Sequence, residues 1–384
     1  MKRVAFINGY IFNSDTEAFD KASVLCEDGI ITDIISGDVP SEYEIIDLDG
    51  KYLIPGLIDV HTHGLGGLDF NFADADNVRF MRQKYAKMGT TSIMATLASD
   101  TYEGWKESIS ALNENRDSLL GHANIIGVHL EGRYLNPDMK GAHAIEFLVK
   151  PNASELDELC SLMRPYLVHA SIAPELDGGD EFIKRANELG VTVGIAHTNA
   201  TYEEATHALE LGARSFTHTY NAMTKIHHRM PGATVVALTE DGAMAELICD
   251  GYHSHPALVR LAYKSKPANM LVLITDSIAL ACTDEGFESE VAGIKVVVKG
   301  GVAVNELGVI AGSTLTMFKA MKNFMDFCGI SLCEAIKYAT INPANMVKAQ
   351  GVGKIAPSYR ADFIAIKDIT DPEIDTVYLG AEKV

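Results

Sequence analysis

From Pro55 to about residue 350 the chain repeats one unit, a short apolar run of strand length beside a polar-apolar stretch of helical length. Units of this kind bury their strands in a parallel sheet and lay the helices outside it. The runs are Leu57 to Val60, Thr91 to Ala95, Ile125 to Leu130, Leu167 to Ile172, Val191 to Ala196, Ser215 to Thr217, Met244 to Ile248 and Met270 to Ile274. Helical stretches between them include Asn77 to Lys87, Ser154 to Met163, Asp180 to Leu189 with Gly190 as its stop, and Tyr202 to Leu211. About eight units favour an α/β fold closed into a (β/α)₈ TIM-like barrel over an open doubly wound sheet.

Before Pro55 the rhythm differs. Short β-type runs, Val4 to Asn8, Ala22 to Glu27, Gly29 to Ile35, Glu44 to Leu48 and Tyr52 to Ile54, are separated by turn residues. Asn8-Gly9, Asp28-Gly29 and Asp49-Gly50 are hairpin chemistry. After the helical segments Thr316 to Cys328 and Leu332 to Thr340, the tail reads as strands again, at Asp362 to Ile366 and Thr376 to Leu379. The expected organisation is a barrel of residues 56–357 inserted between two halves of a small β-sandwich, residues 1–55 and 358–384.

The first barrel run delivers His61 and His63, two positions apart. Residues i and i+2 of a strand point to one side, so both imidazoles can address one point. Alone this is a weak signal, but other runs end on ligand-type residues as well: Glu131, His197, His218 and Asp276. In a barrel the C-terminal strand ends meet at one mouth, so residues distant in sequence converge there. Three or more His and carboxylate donors with an open position make a catalytic Zn or Fe site rather than a closed structural one. The formal charge of −20 argues against nucleic acid and anionic membranes as partners, while a local cationic pocket still suits a small anion. The six cysteines form no Cys-x-x-Cys pair, and no signal peptide or membrane-length apolar run is visible, which predicts a reduced, cytoplasmic chain.

Six further runs carry a resemblance: His129-Leu130-Glu131-Gly132, Ser171-Ile172-Ala173-Pro174-Glu175, Ala196-His197-Thr198-Asn199-Ala200, Thr217-His218-Thr219-Tyr220-Asn221-Ala222-Met223, Thr275-Asp276, and Ala311-Gly312-Ser313-Thr314-Leu315-Thr316-Met317. In this order they resemble the N-acetylglucosamine-6-phosphate deacetylases of the amidohydrolase superfamily, over essentially the whole chain. The resemblance implies a metal-dependent barrel with a small β-sandwich. It implies that Glu131, His197 and His218 hold the main metal, that Asp276 is the catalytic carboxylate, and that His61 and His63 match a second-metal pair which some members replace. One or two divalent ions are therefore expected, Zn or Fe first, then Mn or Co. Asn221, Ala222 and Arg229 match the phosphate-binding segment. Asp250, Gly251, Tyr252 and His253, with Ile310, Ala311 and Gly312, match substrate-contacting loops, and Ala142 and His143 match the segment near the acetamido group. A homodimer is implied too, with Arg229 reaching the neighbour's phosphate. One departure stands out: the family usually follows the metal Glu with Gly-Pro and an aromatic, whereas this chain has Gly132-Arg133-Tyr134, a change bearing on substrate preference or phosphate contact.

The implied reaction is hydrolysis of the acetamido group of an amino sugar phosphate. Asp276 moves the water proton to the departing amine, and His143 donates a hydrogen bond to the acetyl oxygen. The alternatives are the galacto epimer or another N-acyl substrate on the same scaffold, and a non-catalytic barrel. Neighbouring His227 and His228 are read as exposed side chains that diverge, and His207 as a surface residue. The methionines from Met317 to Met325 fall at helical spacing and are expected in the core.

Overall fold

The structure is a computed structural model describing residues 2–384 except 116, 118–120, 292–293 and 307–309. Eight parallel strands pair in sequence order: β1 (Leu57–Thr62), β2 (Thr90–Leu97), β3 (Asn124–Glu131), β4 (Leu167–Ile172), β5 (Thr192–Ile195), β6 (Ser215–Phe216), β7 (Met244–Ile248) and β8 (Leu271–Ile274). The ring closes between β1 and the segment after β8, where Asp276 N donates to His61 O (2.9 Å) and His63 N donates to Ser277 O (2.7 Å). This is the expected (β/α)₈ barrel. Every residue of β1, β2, β5 and β8 is buried, as strands covered on both faces must be.

The helices lie outside, and their ends are chemically marked. Tyr202–Glu210 starts with a capping box, Thr201 Oγ1 accepting from Glu204 N (3.2 Å) while Thr201 N donates to the Glu204 carboxylate (2.8 Å). Met317–Cys328 buries Met317 and Met321 in the core, as their spacing predicts. The stretch Leu332 to Thr340 divides into a short α-helix, Leu332–Ala335, and a 3₁₀ segment, Ile336–Ala339. Between β8 and Met317 the strand-helix rhythm is interrupted by an antiparallel three-stranded sheet, Glu288–Val291, Ile294–Lys299 and Val302–Asn305, which the apolar pattern does not announce. Its Val296, Val298 and Ala303 pack with Ile278, Leu280 and Ala311 beside the barrel mouth. Among the described residues, no helix is long and apolar enough to cross a membrane.

Strands from both chain ends form the second unit. Arg3–Asn13 pairs with Tyr52–Pro55, which pairs with Phe363–Ile366, which pairs with Ile374–Leu379. In a flat sheet three such steps would separate the first and last strands by about 14 Å. The Phe6 ring nevertheless lies 4.9 Å from that of Tyr378 and 5.2 Å from that of Phe363, so the sheet folds over itself into two layers around one core.

Two of the three expected hairpin turns are something else. Asp28-Gly29 does join antiparallel strands, with φ of 47° and 80°. Asn8-Gly9 instead sits inside the continuous strand Arg3–Asn13, where pairing slips between Phe6 and Gly9. Left-handed Asn8 (φ 55°) makes a bulge there, and a side chain at Gly9 would collide with Leu48. Asp49-Gly50 links Glu44–Asp47 to Tyr52–Pro55, which do not pair with each other; both run parallel to Arg3–Asn13 in succession. Positive-φ dipeptides suit bulges and jogs as well as hairpins, and the long first strand decides between them.

Candidate active site

The strand ends aim their polar residues by backbone geometry. His197, His218 and Asp276 each follow a strand and take left-handed φ values of 44°, 32° and 50°. Such conformations are uncommon outside glycine and cost about 1–3 kcal/mol each. They turn the chain off the strand end, and the three side chains meet at the barrel mouth. Glu131 is the last residue of β3, and Gly132 follows because a Cβ there would stand 2.6 Å from the backbone N and Cα of Ser99.

The expected ligand-type residues converge. Glu131 Oε2 lies 3.1 Å from His61 Nε2 and 3.0 Å from His63 Nε2. Its other oxygen lies 2.8 Å from His218 Nε2 and 3.4 Å from His197 Nε2. Asp276 Oδ1 is 3.4 Å from His61 Nε2 and 3.3 Å from His63 Nε2. His197 Nδ1 donates to Met139 O (2.8 Å), and His61 Nδ1 contacts Glu246 Oε2 (3.1 Å). Glu131 thus divides the imidazoles into two pairs, one facing each oxygen.

Burial opposes charge on Glu131, but His61, then His197 and His218, outweigh it and hold its carboxyl well below the usual range. Burial is likewise overcome at Asp276, which His61 and His63 bring down to about 2. The imidazoles move oppositely: against burial, Glu131 and Asp276 raise His61 well above its ordinary value, and hydrogen bonds donated to Asp276 and Glu131 push His63 up to about 9. His143 is different. Burial and the neighbouring His197 lower it to about 3, so its ring is neutral. Ser99 N donates to His143 Nδ1 (3.4 Å) and Ser99 Oγ lies 3.0 Å from the same nitrogen, an arrangement that suits the tautomer with its proton on Nε2.

These groups fit a divalent metal. His61, His63, Glu131 and Asp276 each offer a donor atom within 4.8 Å of the others, as do Glu131, His143 and His197. Nitrogen and carboxylate donors of this kind suit Zn, Fe, Mn or Co.

A cleft of about 980 Å³, counting solvent at its mouth, opens above the cluster. It is lined by His63, Glu131, His197, His218 and Asp276, and by Ala142, His143, Asn221, Ala222, His253, Ile310 and Gly312. His61 lies beneath, fully buried. Arg229, Asp250, Gly251, Tyr252 and Ala311 stand outside the lining. Asp250 instead grips His253, Oδ2 to Nδ1 at 2.6 Å, while Tyr252 is exposed. Arg229 is exposed and contacts His228 Nε2 (2.8 Å). The rings of His227 and His228 do not diverge: their centroids are 4.5 Å apart. His207 is on the surface, paired with Asp180.

Arg133 also lies outside the lining. It is buried against Glu155 (3.0 Å) and Asp100 O (3.1 Å) and lies over the rings of Tyr102 and Trp105, so its guanidinium is taken up by protein groups outside the cleft lining. The sequence reading overlooked Asp69, Asn71, Phe72, Ser99 and Ile278 in the lining and Glu246 below it. For Glu246 a signal existed, a lone carboxylate inside the apolar run Met244–Ile248.

Comparison with known proteins agrees with this geometry. The amidohydrolase family profile matches residues 52–384. The chain is 32% identical over 365 residues to the N-acetylglucosamine-6-phosphate deacetylase of Bacillus subtilis (strain 168), covering 92% of this chain and 90% of that protein. It is 31% identical over 334 residues to an N-acetylgalactosamine-6-phosphate deacetylase of Escherichia coli O157:H7, covering 87% and 88%. The crystal structure of N-acetylglucosamine-6-phosphate deacetylase from Pasteurella multocida superposes with a TM-score of 0.91 at 27% identity, over 100% of this chain and 99% of that one. The chain belongs to the amidohydrolase family.

Proposed function

We propose that this enzyme hydrolyses the acetamido group of N-acetyl-D-glucosamine 6-phosphate, giving acetate and D-glucosamine 6-phosphate. The observation that carries the reading is the convergence of Glu131, His197, His218, His61, His63 and Asp276, from five strand ends, beneath a cleft that also holds His143 and Asn221. The relatives' names supply the substrate.

The divided cluster has donors for one or two divalent ions: Glu131, His197 and His218 would hold the main ion, and His61 and His63, beside Glu131 and Asp276, would hold a second. Zn and Fe are the leading identities. Bound metal supplies Lewis acidity, lowering the pKa of water from 15.7 to about 7 and polarising the acyl oxygen. Asp276, ionised in its setting, accepts the proton as water adds to the acetyl carbon. It then returns that proton to the nitrogen as the C–N bond breaks, because an amide nitrogen cannot leave unprotonated. Neutral His143 donates from Nε2 to the acetyl oxygen as negative charge develops there. His253 and the segment at Asn221 and Ala222 face the cleft where the remote phosphate is held.

The phosphate site is completed across a homodimer by Arg229. Its exposure outside its own cleft, beside exposed Ile226 and Met230, supports such a subunit face. Mixing Arg229→Ala with Asp276→Asn subunits restores activity if sites are shared, and restores none if they are not. Six free cysteines suit a cytoplasmic setting.

The test of function is acetate release from N-acetylglucosamine 6-phosphate, from its unphosphorylated sugar and from the galacto epimer, on protein stripped of metal and then reloaded. Rapid metal-dependent turnover of the first alone is the expected result. The galacto relative favours a second reading: preferred turnover of the galacto epimer would keep the chemistry and move the substrate.

A further inference from the structure

Glu246 is completely buried inside the barrel, on a strand whose neighbours Ala245, Leu247 and Ile248 are apolar. A carboxylate so placed is costly unless other groups compensate it. Its compensation comes from the metal-ligand cluster. Oε2 accepts from His61 Nδ1 on β1 (3.1 Å) and from the backbone N–H of His218 after β6 (3.1 Å). The backbone oxygen of Glu246 accepts from Thr219 N (2.9 Å), one residue further along the same left-handed turn. Its other carboxylate oxygen, Oε1, makes no hydrogen bond among the described residues and faces His169 Nε2 at 4.0 Å. The side chain is thus anchored by the cluster it contacts.

We infer that Glu246 is a positioning residue coupling the two halves of the metal centre, an inference resting on the metal-site reading above. By accepting from Nδ1 of His61 it fixes the ring orientation and keeps that proton on Nδ1, so Nε2, which faces Glu131 and Asp276, is the nitrogen that would give its lone pair to an ion. By accepting from the His218 N–H it holds the turn that sends His218 Nε2 toward the other oxygen of Glu131. His197 has a backbone carbonyl for this purpose, whereas Nδ1 of His63 and of His218 have no partner among the described residues. Glu131 spans the two pairs as a ligand-type residue, and Glu246 supports both from beneath, through the His61 ring and the His218 backbone.

The experiment uses the full-length chain, stripped of metal and titrated with Zn²⁺ against a chromophoric chelator, and with Co²⁺ while its visible spectrum is followed. Glu246→Ala is expected to bind Zn²⁺ about 10–100-fold more weakly and to change the Co²⁺ spectrum. Glu246→Gln keeps an oxygen acceptor for His61 and is expected to restore the wild-type spectrum and most of the affinity. Thermal denaturation of each metal-free variant separates this from a folding defect, which alone would leave the spectrum of bound Co²⁺ unchanged. Wild-type affinity and spectrum in Glu246→Ala overturn the inference, as does a Glu246→Gln protein no better than Glu246→Ala. Failure of the unmutated protein to bind either ion would instead overturn the metal-site reading beneath it.

Discussion

Replacing Arg133 by Met removes a charge and a hydrogen-bonding fork while keeping an apolar stem of similar length. The structure predicts a loss of stability with little change in substrate binding. The guanidinium pairs with Glu155, whose carboxylate would keep only the Tyr134 hydroxyl (2.8 Å) among these partners, and Asp100 O would lose its donor. Breaking a fully buried pair costs about 3–5 kcal/mol, and the 23% exposure of the Glu155 side chain lowers that to about 2–3 kcal/mol. Two cation–π contacts at 5.8 Å add about 0.5–1 kcal/mol each, so about 3–5 kcal/mol in all is expected for Arg133→Met. Urea denaturation of the single variant, of Glu155→Gln and of the double variant checks this. The double variant should recover at least half of the loss, because no unpaired charge remains. KM for the phosphorylated substrate should stay within about twofold of wild type. An Arg133→Met protein of unchanged stability whose KM has risen tenfold would refute the reasoning and return the arginine to the phosphate.

Three other outcomes follow from the site. Asp276→Asn should lower kcat by about 10²–10⁴-fold, with the His197 and His218 pair still holding metal by elemental analysis; near-normal turnover would remove Asp276 from proton transfer. In metal-free protein, His63 is raised from 6.5 to about 9. A group bound more tightly to its proton in the folded state stabilises fully below its unfolded value and loses that contribution as pH rises through the folded one. Stability of the chelated protein should therefore fall by up to roughly 3 kcal/mol between pH 6.5 and 9.5. Metal-loaded protein should be flatter over that window, and a chelated protein that stabilises as pH rises would contradict the assignment. Gly132→Ala should cost about 1–3 kcal/mol and reduce metal content together, since the added methyl meets backbone at Ser99 that cannot swing away; a wild-type denaturation midpoint with full metal content would show that the close approach is not required.

The barrel was legible because its signal is repetitive. Eight apolar runs bounded by polar ends leave few alternatives, and a polar residue at the C-terminal end of a buried strand has one mouth to face. His61, His63, Glu131, His197, His218 and Asp276 come together for that reason alone. What sequence could not show depends on packing across large separations. Glu246 meets His61 from 185 positions away, and nothing local says which histidine a buried glutamate will find. Arg133 stands two residues from Glu131 on a departing loop, and its burial against Tyr102 and Trp105 of the helix Tyr102–Glu114 follows from how that helix packs. Asn8-Gly9 was misread because a bulge and a hairpin demand the same left-handed residue. The three-stranded insert falls where the barrel rhythm leads one to expect a helix, and its short apolar runs do not mark it as a separate sheet.

The pairing of Tyr52–Pro55 with Phe363–Ile366 also sets a timetable for the chain during synthesis. One edge of the N-terminal strands waits until roughly 300 further residues have been made, about 15–60 s at 5–20 residues per second. Through that interval Phe6 lacks the rings of Phe363 and Tyr378, and an unpaired strand edge is open to other nascent chains. All of the barrel strands and helices are translated before the neighbouring sheet can be finished. Loss of the last strands would thus strand the first ones, making truncation near the C-terminus a defect felt at the N-terminus, as aggregation rather than as lost chemistry.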